Sequence, residues 1–149
     1  MLAGLALVAC SPQTPTAAEI RAGAQSGLPT TPLTIHSSNG NHRFTVEIAR
    51  TREQQMTGLM FRRSLPADRG MIFPFGRAIP ASFWMHNTLI PLDMIFIRAD
   101  GTIARITTAK ARDDSPVPAG EPVVAVLELR GGRTAELGIW EGDRVEWPG

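Results

Sequence analysis

The sequence predicts a mostly β fold with minor α content, a small antiparallel β-barrel or clam-like sheet with one or two short helices. Several short runs of residues alternate apolar and polar side chains with the two-residue period of a half-buried strand. Turn-forming glycines, prolines and aspartates separate these runs, and helix signals are few. With 149 residues, of which 43% are hydrophobic and 19% charged, the chain is long enough for one globular domain and too short to expect two.

The first nine residues predict a secretory signal. Residues 2–9 (LAGLALVA) form an uncharged apolar run that ends in a small residue just before Cys10, as signal peptides do at their cleavage site. The letters LVAC at residues 7–10 resemble the bacterial lipobox. That resemblance implies cleavage after Ala9 and acylation of Cys10, and two or three acyl chains anchor a protein durably to a membrane. The alternative is that residues 1–10 form a buried apolar segment of the domain.

The segment after Cys10 predicts a flexible tether, because it is rich in Pro, Thr, Ser, Ala and Gly and poor in large apolar side chains. Ser11 resembles the residues that permit sorting to the outer membrane of Gram-negative cells. We therefore expect a protein of the bacterial cell envelope that faces the periplasm, lipid-anchored in the outer rather than the inner membrane. No Lys or Arg precedes the apolar run, so we expect translation to start upstream of Met1. The expected organisation is a truncated signal peptide (1–9), a lipidated cysteine with its tether (10–32) and a β domain (33–149).

The first predicted elements of the domain are a strand, a helix and a second strand. Residues 43–49 alternate Phe, Val and Ile with Thr and Glu, which indicates a half-buried strand. Thr51 and Gln54 have the spacing of a capping box, and Gly58 can end a helix of about two turns. Residues 70–75 predict a strand that its proline, at position 74, ends or moves to a sheet edge.

Two further strands are predicted at residues 82–88 and 92–99. The pair Asp100-Gly101 is the strongest hairpin signal in the chain, and it should turn the second of these strands back into a strand at residues 102–109. Antiparallel neighbours joined in this way are typical of a small barrel or meander.

The last part of the chain predicts a loop, two strands and a helical turn. Residues 110–122 are polar and contain prolines, which predicts a loop long enough to form a functional rim or a mobile lid. Gly131 and Gly132 should end a strand that covers residues 123–130. The remaining predicted elements are a helical turn at residues 134–137 and a final strand at residues 144–147.

Charge and residue counts exclude several classes of site. Fifteen Lys and Arg against fourteen Asp and Glu leave a net charge of +1, so we expect no nucleic-acid partner. The single cysteine excludes an internal disulfide, and the three histidines lack a metal-ligand spacing. We therefore predict no metal site and no cofactor. No apolar run reaches the ~20 residues of a membrane-spanning helix.

The middle of the domain carries a specific motif. It reads FWMHNT from Phe83 and PLDMIF from Pro91, with GLM and GMIF before it and LEL and GD after it. These pieces, between about Phe44 and Val145, resemble the prokaryotic domain-of-unknown-function family 192 (DUF192). The resemblance implies a compact β-barrel-like fold in proteins that are often exported, and it implies no established activity. One departure is His86, since the family usually has Lys or Arg at that position.

Two carboxylates stand in otherwise apolar strands. Asp93 shares its predicted strand face with isoleucines, and Glu128 shares its face with valines. A buried charge needs a cation or several N–H donors, and Arg62, Arg63 and His86 are candidate cations. One interpretation makes the two carboxylates an acid and a base, or ligand acceptors, at a pocket floor. The other makes each a structural group, held by an ion pair or by backbone hydrogen bonds that fix a turn.

Aromatic and polar side chains near Asp93 predict a ligand site. On a strand at residues 82–88, Trp84, His86 and Thr88 would share one face. An aromatic ring beside polar donors suits a sugar or another small polar ligand. Core packing is the alternative explanation for this Met-rich and aromatic segment. The predicted ligand-binding residues are Trp84, His86, Asn87, Thr88, Asp93 and Arg63.

Two functions are compatible with these residues. The first is a non-catalytic module of the cell envelope that binds a small, sugar-like ligand or an envelope protein. The second is a small envelope hydrolase that uses Asp93 and Glu128 as acid and base, which requires both carboxylates in one open cleft with separated pKa values. No Ser-His-Asp order, activated cysteine or phosphate-binding loop indicates a catalytic mechanism. We therefore favour the binding module, and leave the catalytic assignment open.

Overall fold

The computed structural model of the chain describes residues 27–149. The predicted signal peptide, Cys10 and most of the predicted tether lie outside the described residues. From residue 27 onward the chain forms seven strands and two short helices, so the predicted mostly β fold is confirmed. In chain order the elements are β1 (Thr30–Ser37), β2 (Gly40–Ile48), α1 (Arg52–Thr57), β3 (Arg69–Phe83), β4 (Leu92–Ile97), β5 (Ile103–Ala109), β6 (Val117–Arg130), α2 (Arg133–Leu137) and β7 (Arg144–Glu146).

The strands form one sheet in the order β5-β4-β6-β3-β2-β1-β7. All neighbours are antiparallel except β2 and β3, which run parallel. The sheet curls so that its two edge strands meet at one corner, where Thr102 forms an antiparallel bridge with Arg144. The Ile103 N–H donates to the Asp143 carbonyl oxygen at 2.8 Å, and the Val145 N–H donates to the Gly101 carbonyl oxygen at 2.8 Å. The result is a curled half-barrel.

Apolar side chains cover both faces of the sheet, and the strand β4 is buried along its whole length. The first face carries a core that α2 helps to cover through Leu137. The second face carries a separate core to which the loop after α1 contributes Leu59 and Leu65. Strand residues on the first face include Leu33, Ile35, Ile72, Ile95, Ile97 and Leu127, and those on the second include Met71, Phe73, Leu92, Met94, Phe96 and Val126.

Two local signals are confirmed. The Thr51 hydroxyl accepts the Gln54 N–H at 3.2 Å, and the Gln54 side chain accepts the Thr51 N–H at 3.0 Å, so the predicted capping box starts α1. The Gly58 N–H donates to the Gln54 carbonyl oxygen at 2.8 Å and ends the helix. The Asp100-Gly101 turn joins β4 to β5, with Gly101 at a φ of 84° that favours glycine.

The predicted strand at residues 82–88 is wrong beyond Phe83, where β3 ends. The Thr88 N–H donates to the Met85 carbonyl oxygen at 3.0 Å, and Asn87 has a φ of 53°. This tight turn brings the chain round from the end of β3 toward β4. Trp84, His86 and Thr88 therefore sit on a turn, and strand alternation does not decide where their side chains point.

The predicted loop at residues 110–122 is also too long, because β6 begins at Val117. The first part of β6 pairs with β3, whereas β4 pairs only with residues 125–130. Proline is tolerated where one side of a strand has no hydrogen-bonded neighbour, which accounts for Pro118 and Pro122. The same reason explains why Pro74 does not end β3, since the pairing of β3 with β2 stops at Ile72.

The strand β1 was not predicted, and it begins at Thr30, three residues before the expected domain boundary. Residues 30–32 pair with residues 45–47 of β2. Leu33 and Ile35 are fully buried in the first core, so β1 is an integral strand of the sheet rather than part of the tether.

Candidate functional site

Glu128 belongs to a row of side chains that crosses four strands on the second face of the sheet. Glu47 of β2 pairs with Met71 of β3, and Met71 pairs with Glu128 of β6. Glu128 in turn pairs with Met94 of β4. Directly paired residues point to the same face, so all four side chains project into the second core. The strand spacing places the Cα atoms of the two glutamates about 10 Å apart.

Arg62 reaches this row from the loop after α1 and binds Glu47. Its Nη1 donates to Glu47 Oε1 at 2.8 Å and its Nη2 donates to Oε2 at 2.6 Å. Both side chains are less than a tenth exposed. A bidentate pair of this kind fixes two planar groups at once. The guanidinium is therefore held by Glu47, and it acts on Glu128 only through longer-range attraction.

The carboxyl group of Glu128 accepts no hydrogen bond from any group in residues 27–149, although the residue is only 4% exposed. Burial raises the pKa of Glu128 to about 8, and the positive charge of Arg62 opposes this rise. Burial removes the water that would stabilise the charged carboxylate, and this loss of hydration outweighs the attraction of Arg62. At neutral pH the group is therefore mostly a neutral acid, which can donate one hydrogen bond or give up its proton to bind a cation.

A narrow cavity, which we call the slot, opens above Glu128. Its volume is about 40 Å³, and its walls are residues 55–60 at the end of α1 together with Phe73, Phe83, Trp84 and Thr88. The Phe83 ring packs edge-on against Phe73 with a centroid distance of 5.1 Å. The volume accommodates about three water-sized groups. The slot can thus take the end of a ligand, and not a whole sugar ring.

A broader depression, which we call the shelf, lies beyond Trp84. Its volume is about 500 Å³, and it is lined by Phe61, His86, Asn87, Leu89, Arg112 and Asp114. The Trp84 ring stacks on His86, with centroids 4.7 Å apart and planes inclined by 22°. This stack separates the slot from the shelf. His86 Nδ1 lies 2.9 Å from Asp114 Oδ1, which fixes the orientation of the imidazole.

The shelf contains all three non-glycine residues that have a positive φ among residues 27–149. They are Phe61 (62°), Asn87 (53°) and Arg112 (57°). This conformation costs roughly 1–2 kcal/mol for a residue with a Cβ. The Phe61 N–H donates to the Asn87 carbonyl oxygen at 2.9 Å, which helps to hold the arrangement. Since Phe61 is 64% exposed, packing of its ring does not offset the cost, and strained exposed residues of this kind mark functional surfaces.

Asp93 is fully buried and accepts four hydrogen bonds. Its Oδ1 accepts the Thr108 hydroxyl at 2.7 Å and the Gly132 N–H at 2.8 Å. Its Oδ2 accepts the N–H and the hydroxyl of Thr134, each at 2.8 Å. Asp93 therefore holds the turn after β6 and the first residues of α2 against β4. This geometry fits the structural interpretation of Asp93 and leaves no free acceptor for a ligand.

The structure does not bring Asp93 and Glu128 together. Asp93 pairs with Leu129, whereas Glu128 pairs with Met94. Adjacent residues of a strand point to opposite faces, so the two carboxylates lie on opposite sides of the sheet. The single cleft on which the predicted hydrolase depends is absent from residues 27–149, and we do not pursue that pair as an acid and a base.

The other predicted ligand residues divide between the two cavities. Trp84 and Thr88 line the slot, and His86 and Asn87 line the shelf. Arg63 is exposed and lines neither cavity, while its neighbour Arg62 is the buried cation of this region. Sequence reasoning missed three contributors, which are Glu47, Met60 and Phe61. The local sequence pattern does not indicate that these residues belong to a site. Glu47, for example, lies between two apolar residues, as a solvent-facing residue of a half-buried strand would.

Two further properties concern the described part of the chain alone. Residues 27–149 contain no group of three or more His, Cys, Asp or Glu side chains that could hold a metal ion. None of the helices in this range is long and apolar enough to cross a membrane.

Comparison with known proteins places the fold in a family and names no activity. The family model DUF192, described as "Uncharacterized ACR", matches residues 34–147. A solved structure from Novosphingobium aromaticivorans DSM 12444, a protein of unknown function, is 46% identical with a TM-score of 0.81, over 91% of this chain and 100% of that one. A "putative transcription regulator" from Sinorhizobium meliloti 1021 is 39% identical with a TM-score of 0.79, over 83% of this chain and 97% of that one. No curated protein matches the chain.

Proposed function

The chain belongs to the DUF192 family, and from the geometry of its site we propose that it is a non-catalytic binding module of the bacterial cell envelope. The slot takes the small end of a polar ligand and the shelf takes its body, which can be a sugar or a molecule of similar size and polarity. One observation carries the proposal, the unpartnered carboxyl of Glu128 at the bottom of a cavity that opens to the surface. The carboxyl oxygens of Glu128 keep only a small opening to solvent, and a largely buried polar group of this kind is a place where a ligand can supply the contact that no protein group makes.

The rim of the site supports a binding role. Met56 and Phe61 are each 64% exposed and Trp84 is 52% exposed, and all three border the slot or the shelf. Exposed apolar side chains that surround a polar cavity are typical of a ligand site. The slot also lacks, among the described residues, a second titratable group that could complete an acid–base pair with Glu128. This composition favours binding over catalysis.

We expect small polar molecules to perturb the slot and the shelf selectively. The full chain carrying Cys10→Ser, labelled with ¹⁵N, would be titrated with glucose, N-acetylglucosamine, glycylglycine and ethanolamine while amide NMR signals are followed. Signals of residues 58–61 and 84–88 should shift with at least one of these probes. Trp84→Ala should weaken that binding about two- to twelvefold, since an aromatic contact contributes roughly 0.5–1.5 kcal/mol beyond its buried area.

Trp140→Ala is the matched control, because Trp140 is an exposed tryptophan that lines neither the slot nor the shelf. It should leave the binding of the same probe unchanged. The proposal is contradicted if no probe shifts these signals, or if Trp140→Ala weakens binding as much as Trp84→Ala does.

We further propose that the module is tethered to the membrane through an acylated Cys10. The lipobox-like residues before Cys10 and the Pro- and Thr-rich segment after it support this proposal. As a random coil, the segment between Cys10 and β1 would span roughly 25 Å, enough to hold the domain above a bilayer surface. In this arrangement the ligand would be a component of the periplasm or of the envelope itself.

Acylation can be tested by metabolic labelling with an alkyne fatty acid. The full chain, preceded by the basic n-region of a host lipoprotein, would be expressed in a Gram-negative host that has the maturation enzymes. The wild-type protein should take up the label and Cys10→Ser should not. Absence of label on the wild-type protein, or its retention on Cys10→Ser, would sink the anchoring proposal.

A further inference from the structure

Glu128, at the bottom of the slot, has a carboxyl group to which no protein group donates a hydrogen bond among the described residues. Arg62 is the buried cation of this region, and both of its terminal nitrogens bind Glu47 at 2.6–2.8 Å. The Glu128 carboxyl receives no such bond from residues 27–149, in contrast to Asp93 with its four donors. In its carboxylate form Glu128 can therefore accept the N–H or O–H donors that a ligand group brings into the slot.

The walls of the slot favour a donor that carries positive charge. Three of the residues that line the cavity are aromatic, Phe73, Phe83 and Trp84, and the electron-rich face of an aromatic ring attracts a cation. The other polar wall groups are neutral, the hydroxyls of Thr57 and Thr88 and the amide of Gln55. No wall residue carries a positive charge that would repel an entering cation. An ammonium group would thus meet a carboxylate at the floor and aromatic rings at the sides.

The size of the slot restricts the kind of cation. A volume of about 40 Å³ holds about three water-sized groups, which corresponds to an ammonium nitrogen and one or two methylene groups. A branched cation such as tetramethylammonium, with four carbons around its nitrogen, exceeds this volume.

We propose that the slot binds the ammonium end of an unbranched primary amine, whose N–H groups donate to the Glu128 carboxylate while its methylenes pack against Phe73, Phe83 and Trp84. The rest of such a molecule extends past the Trp84–His86 stack onto the shelf. This inference rests on the binding function proposed above, and it specifies the chemical class of the ligand.

Binding of an amine requires Glu128 to lose its proton to solvent, so the affinity should depend on pH. Because burial raises the pKa of Glu128 to about 8, the fraction in the carboxylate form increases about tenfold from pH 6 to pH 7. The dissociation constant of n-butylamine, measured by NMR titration of the full chain carrying Cys10→Ser, should fall by about the same factor. At pH 7 the ¹³C signal of the Glu128 carboxyl should move from the acid to the carboxylate position as n-butylamine is added.

Matched probes and variants test each part of the proposal. The neutral n-butanol and the bulky tetramethylammonium should bind at least tenfold more weakly than n-butylamine at pH 8. Glu128→Gln should weaken n-butylamine binding at least tenfold and remove its pH dependence. Glu121→Gln, which changes a more exposed carboxylate on the same strand, should do neither.

The outcomes separate this inference from the binding function. If glucose or N-acetylglucosamine shifts the signals of the slot and the shelf but n-butylamine and ethanolamine do not, the amine inference is wrong and the binding function stands. If n-butylamine binds equally well to Glu128→Gln, or equally well at pH 6 and pH 7, the amine inference is also wrong. If none of these probes shifts the signals, both proposals fail.

Discussion

Arg62→Met should lower the free energy of unfolding by about 3–5 kcal/mol, because it leaves the Glu47 carboxylate buried without its guanidinium. Methionine has a comparable length and keeps the apolar part of the packing, so the loss would come chiefly from the charge. The same substitution removes the attraction that opposes the raised pKa of Glu128. In a domain of this size the thermal midpoint should fall by about 10 °C or more, measured by circular dichroism.

Arg63→Met is the control for Arg62→Met, since the adjacent arginine is exposed. Its effect should stay within about 0.5 kcal/mol. The double variant Glu47→Met/Arg62→Met should recover most of the lost stability, because replacing both members of a buried pair by apolar groups is often close to neutral. A loss for Arg62→Met no larger than that for Arg63→Met would contradict the role assigned to the pair.

The elements that could be predicted from sequence are those whose signals are local. The capping box of Thr51 and Gln54 and the Asp100-Gly101 turn each act within a few residues, and both occur where expected. The strand at residues 82–88 fails for the opposite reason. The strand ends at Phe83, and the residues after it form a turn in which Asn87 is left-handed. Asparagine adopts this conformation more readily than most residues, but the apolar and polar alternation of the segment indicated a strand instead.

The site could be predicted only in part, because the loop after α1 covers the second face of the sheet and contributes residues to the site. Glu128 was predicted as a carboxylate in an apolar strand, whereas Trp84 and Thr88 were predicted as ligand residues together with Asp93. The alternation of β2 predicts a solvent-exposed Glu47, because a strand that alternates in this way usually has one face exposed to water. The loop after α1 covers that face and supplies Arg62, and no periodicity in β2 records the presence of that loop.

The separation of Asp93 from Glu128 shows what the apolar and polar alternation of a strand can predict and what it cannot. Both were predicted to lie on apolar faces, and both do. Which of the two faces of the sheet each one meets depends on the register of β4 against β6, where Asp93 pairs with Leu129. A shift of one residue would place them on the same side. The choice between a hydrolase and a binding module therefore rested on a property that the sequence does not display.

Glu128→Gln should remove most of the pH dependence of stability between pH 5 and pH 8. The pKa of Glu128 is about 8 in the folded chain, against an ordinary value of 4.5 that applies after unfolding. Between these values the folded state holds a proton that the unfolded state releases, so the free energy of unfolding decreases as pH rises. The decrease approaches 1.4 kcal/mol per pH unit and totals on the order of 3–4 kcal/mol between pH 5 and pH 8.

Urea unfolding at several pH values between 5 and 8 would measure this effect. Glutamine mimics the neutral acid, so wild type and Glu128→Gln should be closest in stability near pH 5 and should diverge as pH rises, with wild type the less stable. Subtracting the two curves removes the titration of the histidines, which both proteins share. Glu121→Gln should follow the wild-type curve, because its side chain is partly exposed and paired with Arg98. Parallel curves for wild type and Glu128→Gln would mean that the carboxyl ionises as it does in water, which would contradict the raised pKa that burial gives Glu128.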